Sequence, residues 1–97
     1  MTFADSIERA RLVSGLRGLA DYLESIPEVP APVYSSVLAF PSGDWTGTCA
    51  EIDAAAAYLG VTAHMTGGGH YVAARSFGPV EYRVVAIPPG NDSEGWG

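Results

Sequence analysis

The sequence has no lysine, one cysteine and no long uninterrupted run of apolar residues. Eleven acidic residues outnumber five dispersed arginines, so the formal net charge is −6. Nucleic acid and anionic membrane surfaces are bound through clustered cations, and we therefore expect neither as a direct partner. No apolar run approaches the ~20 residues that cross a bilayer as a helix.

The single cysteine, Cys49, excludes a disulfide within the chain and is typical of a protein from a reducing compartment. The first residues include Asp5 and Glu8, where a signal peptide would carry basic residues before an apolar stretch. We therefore expect a cytoplasmic protein. The 97 residues, of which 47 % are apolar and 16 % charged, fit one folded domain.

Apolar residues spaced alternately by four and three predict a first helix from Asp5 to about Ile26. Asp5 and Glu8 have the spacing of a capping box, in which each side chain accepts a backbone hydrogen bond at the start of the helix. Pro27 predicts the end of this helix. The apolar stripe consists of Leu12, Leu16, Leu19, Leu23 and Ile26.

Residues Val33–Phe40 are typical of a strand. Apolar side chains occupy both alternating sets of positions, which predicts a central strand that is covered on both faces. A second helix is predicted to begin at Thr48, where Glu51 completes a capping box, and to end at Gly60. The inner stripe of this helix consists of Ile52, Ala55, Ala56 and Leu59.

Three further strands and two glycine-containing turns are predicted in the second half of the chain. A two-residue Gly78-Pro79 loop would place Phe77 opposite Val80 across a hairpin. In the same register Arg75 faces Tyr82. The predicted strands are Val61–Met65, His70–Phe77 and Val80–Ile87, with Gly67–Gly69 in the first turn.

The order α-β-α-β-β-β predicts an α+β fold, with a four-stranded, mainly antiparallel sheet and two helices packed on one face. We expect residues 1–87 to form a single domain. Residues 88–97 are rich in proline, glycine and polar residues, which predicts a flexible C-terminal tail.

The predicted strands carry more apolar surface than two helices on one face of a sheet can cover. An exposed apolar patch of that kind is typical of a surface that binds a partner or a second copy, unless the tail or the Pro-rich connector covers it. The leading hypothesis is therefore a non-enzymatic protein–protein interaction module. Self-association into a homo-oligomer is compatible with it. Its predicted partner-binding residues are Tyr34, Tyr71, Arg75 and Tyr82.

The alternative hypothesis is a small-ligand or nucleotide-binding domain, with ligand-binding residues His64, His70, Arg75 and Arg83. The two histidines could meet across a five-residue loop. Zinc needs three or four ligands, and no Cys, Asp or Glu lies between residues 54 and 80, so no metal and no cofactor are predicted. Gly67–Gly69 precedes a strand rather than a helix, which favours a tight turn over a phosphate cradle. For the two arginines, the ordinary alternative is cross-strand charge pairing with Glu81.

Cys49 is the candidate nucleophile of a third hypothesis, an enzyme. In the first turn of the second helix, the helix dipole would lower the pKa of its thiol. A catalytic cysteine also needs a base, and neither histidine has a spacing that argues for proximity. We therefore expect Cys49 to pack as a small apolar side chain, and we predict no catalytic residue.

Three stretches of the chain resemble small uncharacterised proteins of actinobacteria and their phages. They are Arg9–Glu24 (RARLVSGLRGLADYLE), Val33-Tyr34 at the start of the first strand, and Phe77–Ala86 (FGPVEYRVVA). The Ala- and Gly-rich composition without lysine is similar to that of a high-GC genome. The resemblance covers about residues 9–87 and brings no catalytic motif. It implies a phage or mobile-element accessory protein that binds and modulates one host or phage protein.

Overall fold

The computed structural model describes residues 3–89, which group into two compact units, Phe3–Val33 and the described residues from Tyr34 onward. The observed order confirms the predicted α-β-α-β-β-β succession. From residue 90 the predicted tail lies outside the described residues. Between residues 3 and 89 no helix has the length and apolar character needed to cross a membrane. The elements are α1 (Ser6–Ser25), β1 (Ser35–Ala39), α2 (Trp45–Leu59), β2 (His64–Met65), β3 (Tyr71–Phe77) and β4 (Val80–Ala86).

Helix α1 has the predicted capping box. The Asp5 carboxylate accepts a hydrogen bond of 2.8 Å from the Glu8 backbone N–H, and the Glu8 carboxylate accepts one of 2.9 Å from the Asp5 N–H. The last helical hydrogen bond runs from the Ile26 N–H to the Tyr22 carbonyl, directly before Pro27. No residue of α1 is buried, and the leucines of its stripe at positions 12, 16 and 19 are between 42 and 54 % exposed.

Helix α2 begins at Trp45, so the predicted start at Thr48 is wrong. The carboxylate of Asp44 caps the helix by accepting a hydrogen bond of 2.7 Å from the Gly47 N–H, which lets the helix begin one turn earlier. Thr48 is therefore inside the helix, where it is buried and its hydroxyl donates to the Trp45 carbonyl. The predicted end is confirmed, since Gly60 adopts a left-handed conformation (φ 72°).

The four strands form a mixed sheet in the order β1-β4-β3-β2. Two of the three pairings are antiparallel, as predicted, whereas β1 pairs with β4 in parallel. The prediction of a central strand at Val33–Phe40 is wrong, because β1 lies at the edge of the sheet. No residue of β1 is buried, so the apolar residues in both alternating sets are not covered on both faces as predicted.

The β3–β4 hairpin has the predicted register: Phe77 pairs with Val80 and Arg75 pairs with Tyr82. Strand β2, in contrast, is only two residues long, although Val61–Met65 was expected. The reason is that the Val61 N–H donates to the Ala56 carbonyl and so belongs to the end of α2.

The core of the second unit lies between α2 and strands β3 and β4. From the predicted inner stripe of α2, Ile52 and Ala56 are buried and Ala55 and Leu59 are half-buried. The predicted packing of a helix on one face of the sheet is thereby confirmed for α2. For α1, which belongs to the other unit, it stays a prediction. On the α2 side the buried apolar residues are Ile52, Ala56, Ala73, Val84 and Ala86, whereas Val72 and Val85, which pair with each other, are buried on the opposite face of the sheet.

Candidate functional site

Within residues 3–89, the backbone groups along the outer edge of β1 are unpaired. The Ser35 N–H donates to the Pro79 carbonyl (3.1 Å), so the backbone groups of Ser35 point toward β4. Because these directions alternate along a strand, the N–H and C=O groups of Ser36 and Leu38 point away from β4. Within residues 3–89 no strand pairs with that side of β1. Each of these two residues therefore offers one donor and one acceptor to an added strand.

Nothing inside β1 protects this edge. Natural edge strands are commonly guarded by charged side chains, proline or a bulge, which prevent another chain from pairing with them. The segment Ser35–Ala39 contains none of these charges and no proline. Tyr34 and Leu38 are 57 and 50 % exposed, and Phe40, just after the strand, is also exposed. We name the outward backbone of β1 together with Tyr34, Leu38 and Phe40 the β1 edge surface.

A polar network centred on Glu81 borders the β1 edge surface. The Tyr34 hydroxyl and the Arg83 Nε both donate to Glu81 Oε1, at 3.0 and 3.2 Å, and the Ser36 hydroxyl donates to the Tyr34 oxygen at 3.3 Å. The hydrogen bond from Arg83, followed by that from Tyr34, lowers the pKa of Glu81. The sequence offered cross-strand charge pairing as the ordinary alternative; Arg83 does pair with Glu81, but both residues lie in β4, two positions apart. The network ties the Tyr34 hydroxyl to a side chain of β4.

The predicted partner-binding residues divide between the two faces of the sheet. Tyr71 and Arg75 lie on the face covered by α2: the Tyr71 hydroxyl donates to Asp53 Oδ1 at 2.5 Å, and Arg75 donates to the Leu59 carbonyl at 3.2 Å. Tyr82 shares that face because it is the cross-strand partner of Arg75. Tyr34 instead contacts Glu81, the neighbour of Tyr82 in β4, and so lies on the opposite face.

Of the predicted ligand-binding residues, the two arginines lie on opposite faces of the sheet. Arg83 pairs with Ala74, the neighbour of Arg75 in β3, so the two guanidinium groups start from opposite faces. His64 is paired with Val72 and the His70 backbone is bonded to Thr66, so the two histidines are diagonal neighbours across the turn and not directly opposite each other. Among residues 3–89 no group of three or more His, Cys, Asp or Glu side chains is placed to hold a metal ion.

Cys49 is the fifth residue of α2, so its predicted place in the first turn is wrong. Partial burial, and secondly the charge of Asp53, raise the pKa of its thiol. The sequence predicted the opposite, a pKa lowered by the helix dipole. A raised pKa keeps the thiol protonated at neutral pH, whereas a nucleophilic cysteine needs its thiolate.

The bond from Tyr71 to Asp53 is a feature that the sequence did not predict. It raises the pKa of the Tyr71 phenol, with smaller contributions from burial and from the charge of Asp53. The only available signal was the position of Asp53 directly after the predicted inner residue Ile52, which does not specify a partner. The hydrogen bond from the Tyr71 phenol to the Asp53 carboxylate attaches β3 to α2.

Comparison with known proteins adds no family to this geometry. The chain matches no family model, no curated protein and no solved structure. What supports a function is therefore the geometry of the described residues, above all the unguarded edge of β1.

Proposed function

We propose that the chain is a non-enzymatic protein-interaction module that binds an extended segment of a partner protein along the β1 edge surface. The observation that carries this proposal is an edge strand whose outward backbone groups are unpaired in the described structure and whose residues include no charge and no proline. An extended peptide completes such an edge by adding a strand, and its main-chain hydrogen bonds supply affinity.

The geometry supports recognition by both backbone and side chains. The outward N–H and C=O groups of Ser36 and Leu38 would form the ladder with the added strand. Tyr34 and Leu38 flank the ladder and supply apolar contact area, which for Tyr34 includes a polar tip. The specificity of the module would then come from the side chains that the partner places against these two residues.

The Glu81 network supports the proposal by restricting Tyr34 before binding. The tyrosine hydroxyl is held by Glu81, which Arg83 holds in turn. The side chains of Arg83 and Glu81 are 33 and 16 % exposed, so the ion pair is partly shielded from solvent. Restricting a side chain in advance reduces the entropy lost when a partner orders it.

The partner that we propose is a protein of the host or of a phage, and the place of action is the cytoplasm. The resemblance of Arg9–Glu24 and Phe77–Ala86 to proteins of actinobacteria and their phages supports the first point. The single cysteine supports the second. The net charge of −6 without a basic cluster disfavours nucleic acid and anionic membranes as direct partners.

Site-specific photo-cross-linking in the native host tests the proposal. Leu38 is replaced by p-benzoylphenylalanine, and illumination is expected to give a covalent protein adduct of one discrete mass. The same photo-reactive residue at Tyr58, an exposed position of α2, serves as the matched control and is expected to give no such adduct.

Two substitutions at Ser36 separate the backbone from the side chain. Ser36→Pro removes the outward N–H without removing a hydrogen bond to β4, and edge strands tolerate proline at such positions. It is expected to abolish the adduct, whereas Ser36→Ala, which keeps the N–H, preserves it. Circular dichroism checks that both variants remain folded. An adduct that survives Ser36→Pro, or that forms equally from position 58, would rule out strand addition at β1.

A further inference from the structure

Strand β1 has a gap between side chains on the sheet face that α2 does not cover. Ser36 pairs with Glu81 in β4, and the Tyr34 hydroxyl donates to the same glutamate, so the three side chains share this face. Leu38 follows two positions after Ser36 and therefore also lies there. About 13 Å of extended backbone separates Tyr34 from Leu38, and only the small side chain of Ser36 lies between them on this face. We name this gap the Ser36 notch.

The Ser36 notch is bounded on three sides. Tyr34 and Leu38 form the two flanks, and both side chains are exposed. Glu81 forms the back, because it is the neighbour of Ser36 in β4. The Ser36 hydroxyl donates to the Tyr34 oxygen at 3.3 Å. Within residues 3–89 no strand lies on the outer side of β1, so the fourth side of the notch faces the position that an added strand would take.

The back of the Ser36 notch keeps capacity to accept a hydrogen bond. In the described part of the chain, the bonds from Tyr34 and Arg83 to Glu81 both end on its Oε1. An ionised carboxylate offers about four acceptor sites on its two oxygens, so Oε2 can accept a further donor. Arg83 already offsets the negative charge of Glu81. A neutral donor can therefore serve at Oε2 as well as a cation.

From this geometry we infer that the partner segment carries, opposite Ser36, a long side chain with an apolar body and a terminal hydrogen-bond donor. The inference rests on the proposed strand addition at β1. An added strand and β4 lie on either side of β1, so about 10 Å separates the partner residue from Glu81, and the two side chains close this span above Ser36. The apolar body packs between Tyr34 and Leu38, and the donor binds Glu81 Oε2. Lysine and tyrosine both have this chemistry.

Synthetic peptides of sequence TVTXTVT, titrated into the isotope-labelled chain and followed by NMR, test the inference. The guest residue X is lysine or norleucine, tyrosine or phenylalanine, and alanine as the reference. Within each of the two pairs, only the first guest has a terminal donor. At least one donor-bearing guest is expected to bind about tenfold or more tightly than its donor-free counterpart, because a hydrogen bond to a charged acceptor is stronger than a neutral one. The pair that shows this ratio identifies the donor as an ammonium or a phenol.

Substitutions in the chain assign the preference to the Ser36 notch. Glu81→Leu removes the acceptor, so the ratio between the paired peptides is expected to fall to about one, whatever happens to the affinity of both. Ser36→Leu blocks the path across β1 and is expected to remove the ratio as well. Ser35→Leu is the matched control, since Ser35 lies on the other face of β1, and it is expected to keep the ratio. Circular dichroism checks that the three variants remain folded.

The outcomes separate this inference from the proposed function. If no peptide shifts the amide resonances of Ser36 and Leu38, strand addition at β1 fails and the inference fails with it. If the peptides shift these resonances but neither pair shows a preference, the inference is overturned and strand addition stands. A preference that survives in Ser36→Leu or in Glu81→Leu would likewise overturn the assignment of the donor to the Ser36 notch.

Discussion

Hydrogen bonds of individual side chains hold α2 and β1 in place. The Tyr71 hydroxyl joins β3 to Asp53 of α2, and the Tyr34 hydroxyl joins the start of β1 to Glu81 of β4. Both are phenol–carboxylate bonds, but their neighbours differ. Arg83 shares the carboxylate of Glu81, whereas Tyr71 alone donates a side-chain hydrogen bond to Asp53 among the described residues.

Tyr71→Phe is expected to lower the melting temperature by a few degrees at neutral pH, because Asp53 loses its phenol donor. The raised pKa of Tyr71 means that the folded state favours the protonated phenol. The stabilisation is therefore full below the ordinary tyrosine pKa of about 10 and is lost as pH rises through the raised value. Tyr58 is an exposed residue of α2, the helix that carries Asp53, and Tyr58→Phe is expected to leave the melting temperature unchanged. Equal melting temperatures for Tyr71→Phe and the wild type at neutral pH would contradict this account.

Glu81 makes the opposite contribution to pH dependence. Its lowered pKa means that the folded state favours the carboxylate. The resulting stabilisation is present above the ordinary glutamate pKa of about 4.3 and is lost as pH falls through the lowered value. Urea unfolding at pH 7 and at pH 3 checks this: the stability gap between wild type and Glu81→Gln is expected to shrink at the lower pH. A gap that is independent of pH would contradict the role of Glu81.

Residue-level features were predictable where they depend on local spacing. Asp5 and Glu8 formed the capping box that their i, i+3 spacing predicts. For α2 the same rule chose Thr48 and Glu51, although Asp44 was an equally good cap one turn earlier. The contacts of Tyr71 with Asp53 and of Tyr34 with Glu81 span 18 and 47 positions, so no local pattern could have revealed them.

At the scale of whole elements, the seating of α2 on the sheet depends on Ile52, which is fully buried. Ile52→Ala is expected to reduce the free energy of unfolding by about 2–5 kcal/mol through lost burial and a residual cavity. Ile7→Ala, at a position that is 70 % exposed, is expected to change it by less than about 0.5 kcal/mol. Chemical denaturation measures both values, and similar losses at the two positions would contradict the assignment of the core.

Element types were predictable and the sheet order was not. The Gly78-Pro79 loop is local, and it fixed the β3–β4 register as expected. The place of β1 depends on its parallel pairing with β4, across a connection that contains α2 and two further strands. Its two apolar sets predicted a central strand, yet the same pattern belongs to an uncharged edge. A strand that binds another chain and a strand that is buried on both faces have similar composition, because both require apolar, β-favouring residues.

At the scale of the molecule, the proposed binding surface is the β1 edge surface, which would take an extended segment of a different protein. The Ser36→Pro variant removes this property while the pairing of β1 with β4 remains.

Amide hydrogen exchange at β1, with and without the partner recovered by cross-linking, tests the central claim most directly. In the free protein the outward N–H groups of Ser36 and Leu38 are expected to exchange rapidly, while that of Val37, directed toward β4, is protected. Binding is expected to protect Ser36 and Leu38 and to change Val37 little. Rapid exchange at Ser36 and Leu38 in the complex would contradict the claim that β1 accepts a partner strand.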